Sequence, residues 1–120
     1  MAYVFTVPWY ATGFRHDQLA EALSEIAPVA LHYGATDWAV YRSNEDRYKF
    51  QQLATFEDKA GYELYWNGPE FAQWRADYSS WYQVPVVYGT QTLVASGVLG
   101  ANGNGNGAAA GTPGVAASAE

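Results

Sequence analysis

The 120-residue sequence contains no cysteine, a single methionine and only two histidines. Without cysteine there is no disulfide, no thiolate metal site and no cysteine nucleophile. Positive charge is also scarce. Six Lys and Arg face twelve Asp and Glu, a net charge of −6, and no basic run occurs. This disfavours nucleic-acid binding and attachment to an anionic membrane, both of which draw on clustered positive charge. There is no apolar run long enough to span a bilayer, and MAYVFTVPW lacks the charged region of a signal peptide. The expectation is a soluble cytoplasmic protein. No glycine-rich loop leads into a helix, so a phosphate cradle is not foreseen. Ser79-Ser80 has no histidine near it in sequence to build a hydrolase triad. His16 and His32 fall at opposite ends of one expected helix. At about 1.5 Å per residue they stand roughly 24 Å apart, too far to share a metal ion, and no metal site is expected.

What the sequence has in abundance is aromatic: five Trp, ten Tyr and five Phe. From Val98 onward the composition changes to VLGANGNGNGAAAGTPGVAASAE, with no ring and no charge before Glu120. Such a segment offers little apolar surface to offset the entropy of ordering it, so residues 98–120 read as a flexible tail, either solvated or a tether. All twenty rings therefore belong to a domain over residues 1–97. A domain this small has limited interior volume, so some rings are expected to line a pocket or a subunit interface.

Tyr3 to Trp9 (YVFTVPW) has the β-branched and aromatic content of a strand. Arg15 to Tyr33 reads as a helix whose apolar stripe is Leu19, Leu23, Ile26 and Ala30, kinked or ended early by Pro28 and stopped at Gly34. Ala35 to Ser43 and Tyr48 to Phe56 read as an antiparallel hairpin. Asp58 suits an N-cap, Gly68 a helix end and Pro69 the first turn of a new helix. Phe71, Trp74, Tyr78 and Trp81 repeat as one aromatic stripe on that second segment, and Val84 to Ala95 reads as a last strand. The order is β-α-β-β-α-β, an α+β ferredoxin-like arrangement: a four-stranded antiparallel sheet with helices on one face. The other face would be open, and it is expected to be strongly aromatic and apolar, hence an interface or binding site.

This order, with the helix break at WNGPEF (Trp66–Phe71), resembles the dimeric α/β-barrel superfamily, and most closely its antibiotic-biosynthesis-monooxygenase-like branch. The resemblance spans roughly residues 3–97. It implies a homodimer formed by pressing two open sheet faces into a barrel, with a pocket between sheet and helices in each subunit. Some members oxidise polycyclic aromatics with oxygen and no metal or flavin, commonly through an Asn and a Trp assisted by Tyr, Arg or His. Asn67 and Trp66 are similar in type, and the implied cofactor is none. Haem-degrading relatives use a histidine on the second helix as iron ligand; this chain has no histidine there.

The candidate catalytic residues are thus Asn67, Trp66 and His16. His16 could act as a base at a pocket mouth, or simply pack at a helix start. His32 falls on the polar face. Trp9, Trp38, Arg42, Phe50, Tyr62 and Trp74 are candidates to line a flat slot for an aromatic ligand, with Arg42 placed to meet a phenolate or carboxylate. The same rings could equally be core and dimer interface. Two functions compete: a small-molecule enzyme acting on a planar aromatic or quinone-like substrate, and a non-catalytic dimeric binding or assembly module using the tail as a tether.

Overall fold

The computed structural model describes residues 2–100; all but the first three residues of the expected tail lie outside them. The elements in chain order are β1 (Tyr3–Tyr10), α1 (His16–Ile26), a 3₁₀ helix (Ala27–Tyr33), β2 (Ala35–Arg42), β3 (Lys49–Phe56), α2 (Lys59–Asn67), α3 (Pro69–Asp77) and β4 (Gly89–Thr92). The four strands form one antiparallel sheet in the order β2-β3-β1-β4. This is the expected ferredoxin-like fold.

Local chemistry explains the boundaries. Pro28 stands at the start of the 3₁₀ segment, where its missing N–H costs nothing, and Gly34 closes that segment with a left-handed φ of 96°. The Asp58 carboxylate accepts the Gly61 N–H at 3.0 Å and caps α2. Gly68 is at once the end of α2 and the start of α3, with Pro69 in the first turn beyond it. A side chain at Gly68 has no room: its Cβ would stand 2.7 Å from both the Leu64 carbonyl and the Tyr33 hydroxyl. That hydroxyl donates to Glu70 at 2.5 Å, tying the 3₁₀ segment to α3.

The helices cover the face bearing Tyr3, Phe5, Val7 and Trp9 of β1 and Phe50, Gln52, Ala54 and Phe56 of β3. Against these pack Leu19, Leu23 and Ile26 of α1, Tyr62 and Tyr65 of α2, and Phe71 and Trp74 of α3. Gln52 is fully buried amid the rings. Its Oε1 accepts the Trp9 indole N–H at 3.0 Å, its Nε2 donates to the Tyr65 hydroxyl at 3.0 Å, and that hydroxyl donates to the Ile26 carbonyl at 2.6 Å. One polar chain thus crosses the core from β1 through β3 and α2 to α1, and the amide is partnered as burial requires.

Three expectations are corrected. The last strand is four residues long and fully exposed rather than running from Val84 to Ala95; Pro85 has no N–H to give a ladder, and pairing to β1 begins only at Gly89. The stripe Phe71, Trp74, Tyr78, Trp81 leaves the helix at Asp77, so Tyr78 and Trp81 pack from a turn. The open face is not strongly aromatic. It presents Val4, Thr6, Pro8 and Tyr10, Asp37, Ala39 and Tyr41, and Lys49, Gln51, Leu53 and Thr55, because the aromatic parity of β1 and β3 turns toward the helices.

Candidate functional site

Eight of the nine candidate residues separate into three groups, and Trp38 stands apart. Trp9, Phe50, Tyr62 and Trp74 are buried members of the core, and the Trp74 indole donates to the Ala22 carbonyl at 2.8 Å. Trp9 lies 5.2 Å from Trp74 and 5.0 Å from Tyr82, both edge-on, and stacks on Phe71 at 6.3 Å. The interior beneath α2 and α3 is filled here by rings in contact.

Trp66 differs from these four. It is only partly buried, and it closes a wall at the seam between α2, α3 and the β1–β4 side of the sheet. Its ring centroid is 4.8 Å from Phe71, 5.2 Å from Tyr88, 6.1 Å from Phe5 and 6.3 Å from Trp9. Arg75 sits over it: the guanidinium carbon is 4.1 Å from the Trp66 centroid and 5.2 Å from that of Phe71, and Nη1 donates to the Trp66 carbonyl at 2.7 Å. The arrangement is a cation–π stack at a half-dry site. Burial lowers the Arg75 pKa, and the Tyr82 hydroxyl, donating to the Arg75 carbonyl at 2.9 Å, helps hold this turn in place. Asn67 adjoins Trp66 in sequence but not in orientation. It is exposed, and its Nδ2 donates to the Glu63 carbonyl at 3.0 Å, back onto its own helix.

The third group forms at the β2 edge of the sheet, around the start of α1. Arg42 leaves β2 across the Phe50 ring, 5.1 Å from its centroid, and its Nη2 donates to Asp17 at 3.0 Å and to His16 Nδ1 at 2.7 Å, while Nε donates to the Arg47 carbonyl at 2.8 Å. Asp17 Oδ1 is 3.1 Å from the same imidazole nitrogen. The Arg42 hydrogen bond above all, and then His16, holds the Asp17 carboxyl below its ordinary pKa. The His16 ring meets Tyr48 edge-on at 4.7 Å. Tyr48 OH accepts the Phe14 N–H at 3.2 Å, and Tyr10 donates to Asp46 at 2.6 Å, which lowers the Asp46 pKa and raises that of Tyr10. Phe14 has a left-handed φ of 64° and is 88% exposed, an uncommon combination for a bulky residue. Trp38 joins neither cluster. It points to the helix side of β2 but past the helices, 39% exposed at the sheet edge. His32 is exposed, as expected.

The reading of the sequence thus paired Trp66 with Asn67 and His16, whereas the structure pairs Trp66 with Arg75 and Tyr88, and His16 with Arg42, Asp17 and Tyr48. Gln52 had a usable signal, a polar residue at the apolar parity of β3. Arg75 had none, because it meets Trp66 only across the helix break. Among the described residues no group of three His, Asp or Glu side chains could hold a metal ion, and no helix is long and apolar enough to cross a membrane.

No family model matches the sequence, and no curated protein matches it. Solved structures do resemble it. A candidate antibiotic biosynthesis monooxygenase from Nitrosomonas europaea superposes with a TM-score of 0.70 at 15% identity, over 80% of this chain and 94% of that one. SnoaB, a cofactor-independent oxygenase from Streptomyces nogalater, gives 0.67 at 11% identity, over 79% and 95%. A protein of unknown function from Nitrosomonas europaea gives 0.69 at 22% identity, over 81% and 93%.

Proposed function

The chain has the ferredoxin-like fold of the antibiotic-biosynthesis-monooxygenase-like proteins, and we propose that it is a small-molecule enzyme acting on a planar aromatic or quinone-like substrate at the Trp66 wall. The observation behind this reading is that one of the molecule's large rings, Trp66, stays half open at the sheet–helix seam while contacting four others. A partly open aromatic seam with a cation stacked over its indole suits a flat ligand. The chemistry that fits is oxygenation in which the substrate supplies both electrons: a phenol and one O₂ give a quinone and one water, with no outside reductant. In this reading Trp66 is the platform. The protein acts as a homodimer through the open faces, where Val4, Ala39, Tyr41 and Leu53 form an apolar middle beside Lys49 and Asp37.

Titration with 1,4-naphthoquinone, followed by tryptophan fluorescence, tests the binding step. Quenching that saturates in the native protein and is lost in Trp66→Ala, but kept in Trp38→Phe, is the expected result. Oxygen uptake with 1-naphthol tests the chemistry. Absence of saturable binding would end the reading in favour of the assembly module, which the filled interior around Trp9, Tyr65 and Phe71 favours.

A further inference from the structure

Four oxidisable rings stand in contact from the seam to the far side of the core. Trp66 is 6.3 Å from Trp9, Trp9 is 5.2 Å from Trp74, and Trp74 is 5.4 Å from Tyr78, half-buried just beyond the end of α3. The charges beside these rings differ in sign. The Arg75 guanidinium over Trp66 opposes a positive hole on that indole. Among the described residues no cation lies over Trp9 or Trp74. Their N–H groups donate to the Gln52 and Ala22 oxygens at 3.0 and 2.8 Å, which eases positive charge on both rings. The Tyr78 hydroxyl donates to the exposed Glu25 carboxylate at 3.2 Å. Trp81, 4.6 Å farther on, lies under Arg15 at 5.8 Å and is again a poor place for a hole. Tyr82 also touches Trp9 and Trp74, at 5.0 and 6.0 Å, but its hydroxyl donates to a peptide carbonyl, which does not take up a proton. A hole entering at Trp66 is therefore driven inward and comes to rest on Tyr78.

We propose that Trp66, Trp9, Trp74 and Tyr78 form a hole-hopping route, through which an oxygen-centred radical at the seam draws one electron from Tyr78. A hydroperoxyl radical there takes the electron and a proton from water and becomes hydrogen peroxide. Tyr78 loses the electron and passes its hydroxyl proton to Glu25, which leaves a neutral phenoxyl radical. Glu25 releases that proton to water. A thiol in solution restores the phenol by giving up one electron and one proton, and departs as a thiyl radical. The route carries an oxidising equivalent out of the aromatic core to a ring that solvent reductants reach. It does not depend on which ligand the seam takes.

Flash photolysis tests this. The chain has no cysteine, so Asn67→Cys, exposed and next to Trp66, takes a single ruthenium tris-bipyridine label. A laser flash with a cobalt(III) quencher makes ruthenium(III), and transient absorption follows the radicals it creates. In this labelled protein tryptophanyl absorption should appear first and then pass to tyrosyl absorption. Adding Tyr78→Phe should remove the tyrosyl signal and prolong the tryptophanyl one, whereas Tyr88→Phe and Trp38→Phe should keep both. Glu25→Gln should slow tyrosyl formation by about tenfold, below the roughly hundredfold of a well-placed base because water also reaches this hydroxyl. Trp74→Phe should lose most of the tyrosyl signal. Should that core variant not fold, Tyr78→Phe and Glu25→Gln, altered near the surface, still decide the matter. A tyrosyl signal that survives Tyr78→Phe, or a radical that never leaves tryptophan, overturns the route. An unchanged rate in Glu25→Gln overturns Glu25 as the proton acceptor. No substrate enters the measurement, so a failure of quinone binding leaves its result standing.

Discussion

Replacing Tyr65 by Phe removes one oxygen atom from the middle of the core. That oxygen accepts the Gln52 amide at 3.0 Å and donates to the Ile26 carbonyl at 2.6 Å. The ring can remain where it is, edge-on to Phe5 and tilted against Phe56 and Phe71. The loss is therefore almost purely polar: two buried groups, one donor and one acceptor, lose a partner where water does not reach. At roughly 1–3 kcal/mol for each orphaned group, the expected destabilisation is about 3 kcal/mol. For a domain of this size that lowers Tm by roughly 12–24 °C. Gln52→Leu orphans the Trp9 indole N–H and should cost about 2 kcal/mol. In the double variant the amide that Tyr65→Phe had stranded is gone, so the two losses should fall short of their sum by about 1 kcal/mol or more. Urea unfolding of the four proteins measures all of this. A Tyr65→Phe loss below about 1 kcal/mol, or strictly additive variants, would refute the view that this chain of bonds acts as a unit.

Further outcomes follow from the same geometry. Burial raises the Tyr65 pKa above its ordinary value near 10, so the neutral phenol is favoured in the folded state; this stability is fully present below pH ~10 and is lost as pH rises further, seen as a fall of the urea midpoint that is steeper in the native protein than in Tyr65→Phe, where Tyr10, Tyr33, Tyr78 and Tyr82 still contribute. Gly68→Ala should destabilise by about 1–3 kcal/mol, since the new carbon meets a backbone oxygen and the clamped Tyr33 hydroxyl, read again by urea unfolding. Asn67→Ala should change stability by less than about 0.5 kcal/mol and leave quinone binding unaltered, because the side chain is exposed and bonded to its own helix. If the proposed homodimer forms through the open faces, Leu53→Asp, on the open face of a central strand, should leave the protein monomeric in sedimentation equilibrium where the native protein is a dimer.

Most of the fold was legible because its signals are local. The Pro28 break, the Asp58 cap and the Gly68-Pro69 junction each depend on a residue whose backbone chemistry leaves little choice. The β2–β3 hairpin followed from a short polar connection. The identity of the covered face was not legible. Alternation shows that Trp9 and Phe5 share a side, but not which side the helices take, so the open face was assigned an aromatic character that the core had already claimed. The candidate site was legible only as residue types. Trp66 was found because the break crowds it with rings. Its partners were missed because Arg75 and Tyr88 reach it through tertiary packing, nine and twenty-two positions along the chain. Asn67 drew attention by adjacency, yet consecutive helical positions point about 100° apart.

The contact between Arg42 and His16 couples the imidazole's hydrogen to the arginine's position. An arginine nitrogen cannot accept, so while Nη2 stands at 2.7 Å and donates, His16 Nδ1 is the acceptor; when Nδ1 carries the hydrogen instead, it faces the Asp17 oxygen 3.1 Å away. In the first arrangement the ring's proton resides on Nε2. A molecule arriving at that nitrogen meets a donor, suited to steady a carbonyl oxygen; it does not meet a lone pair able to strip a proton. For His16 to serve as a base, Arg42 must first let go of Nδ1, and the strand that holds Arg42 becomes the element deciding which way a proton can travel.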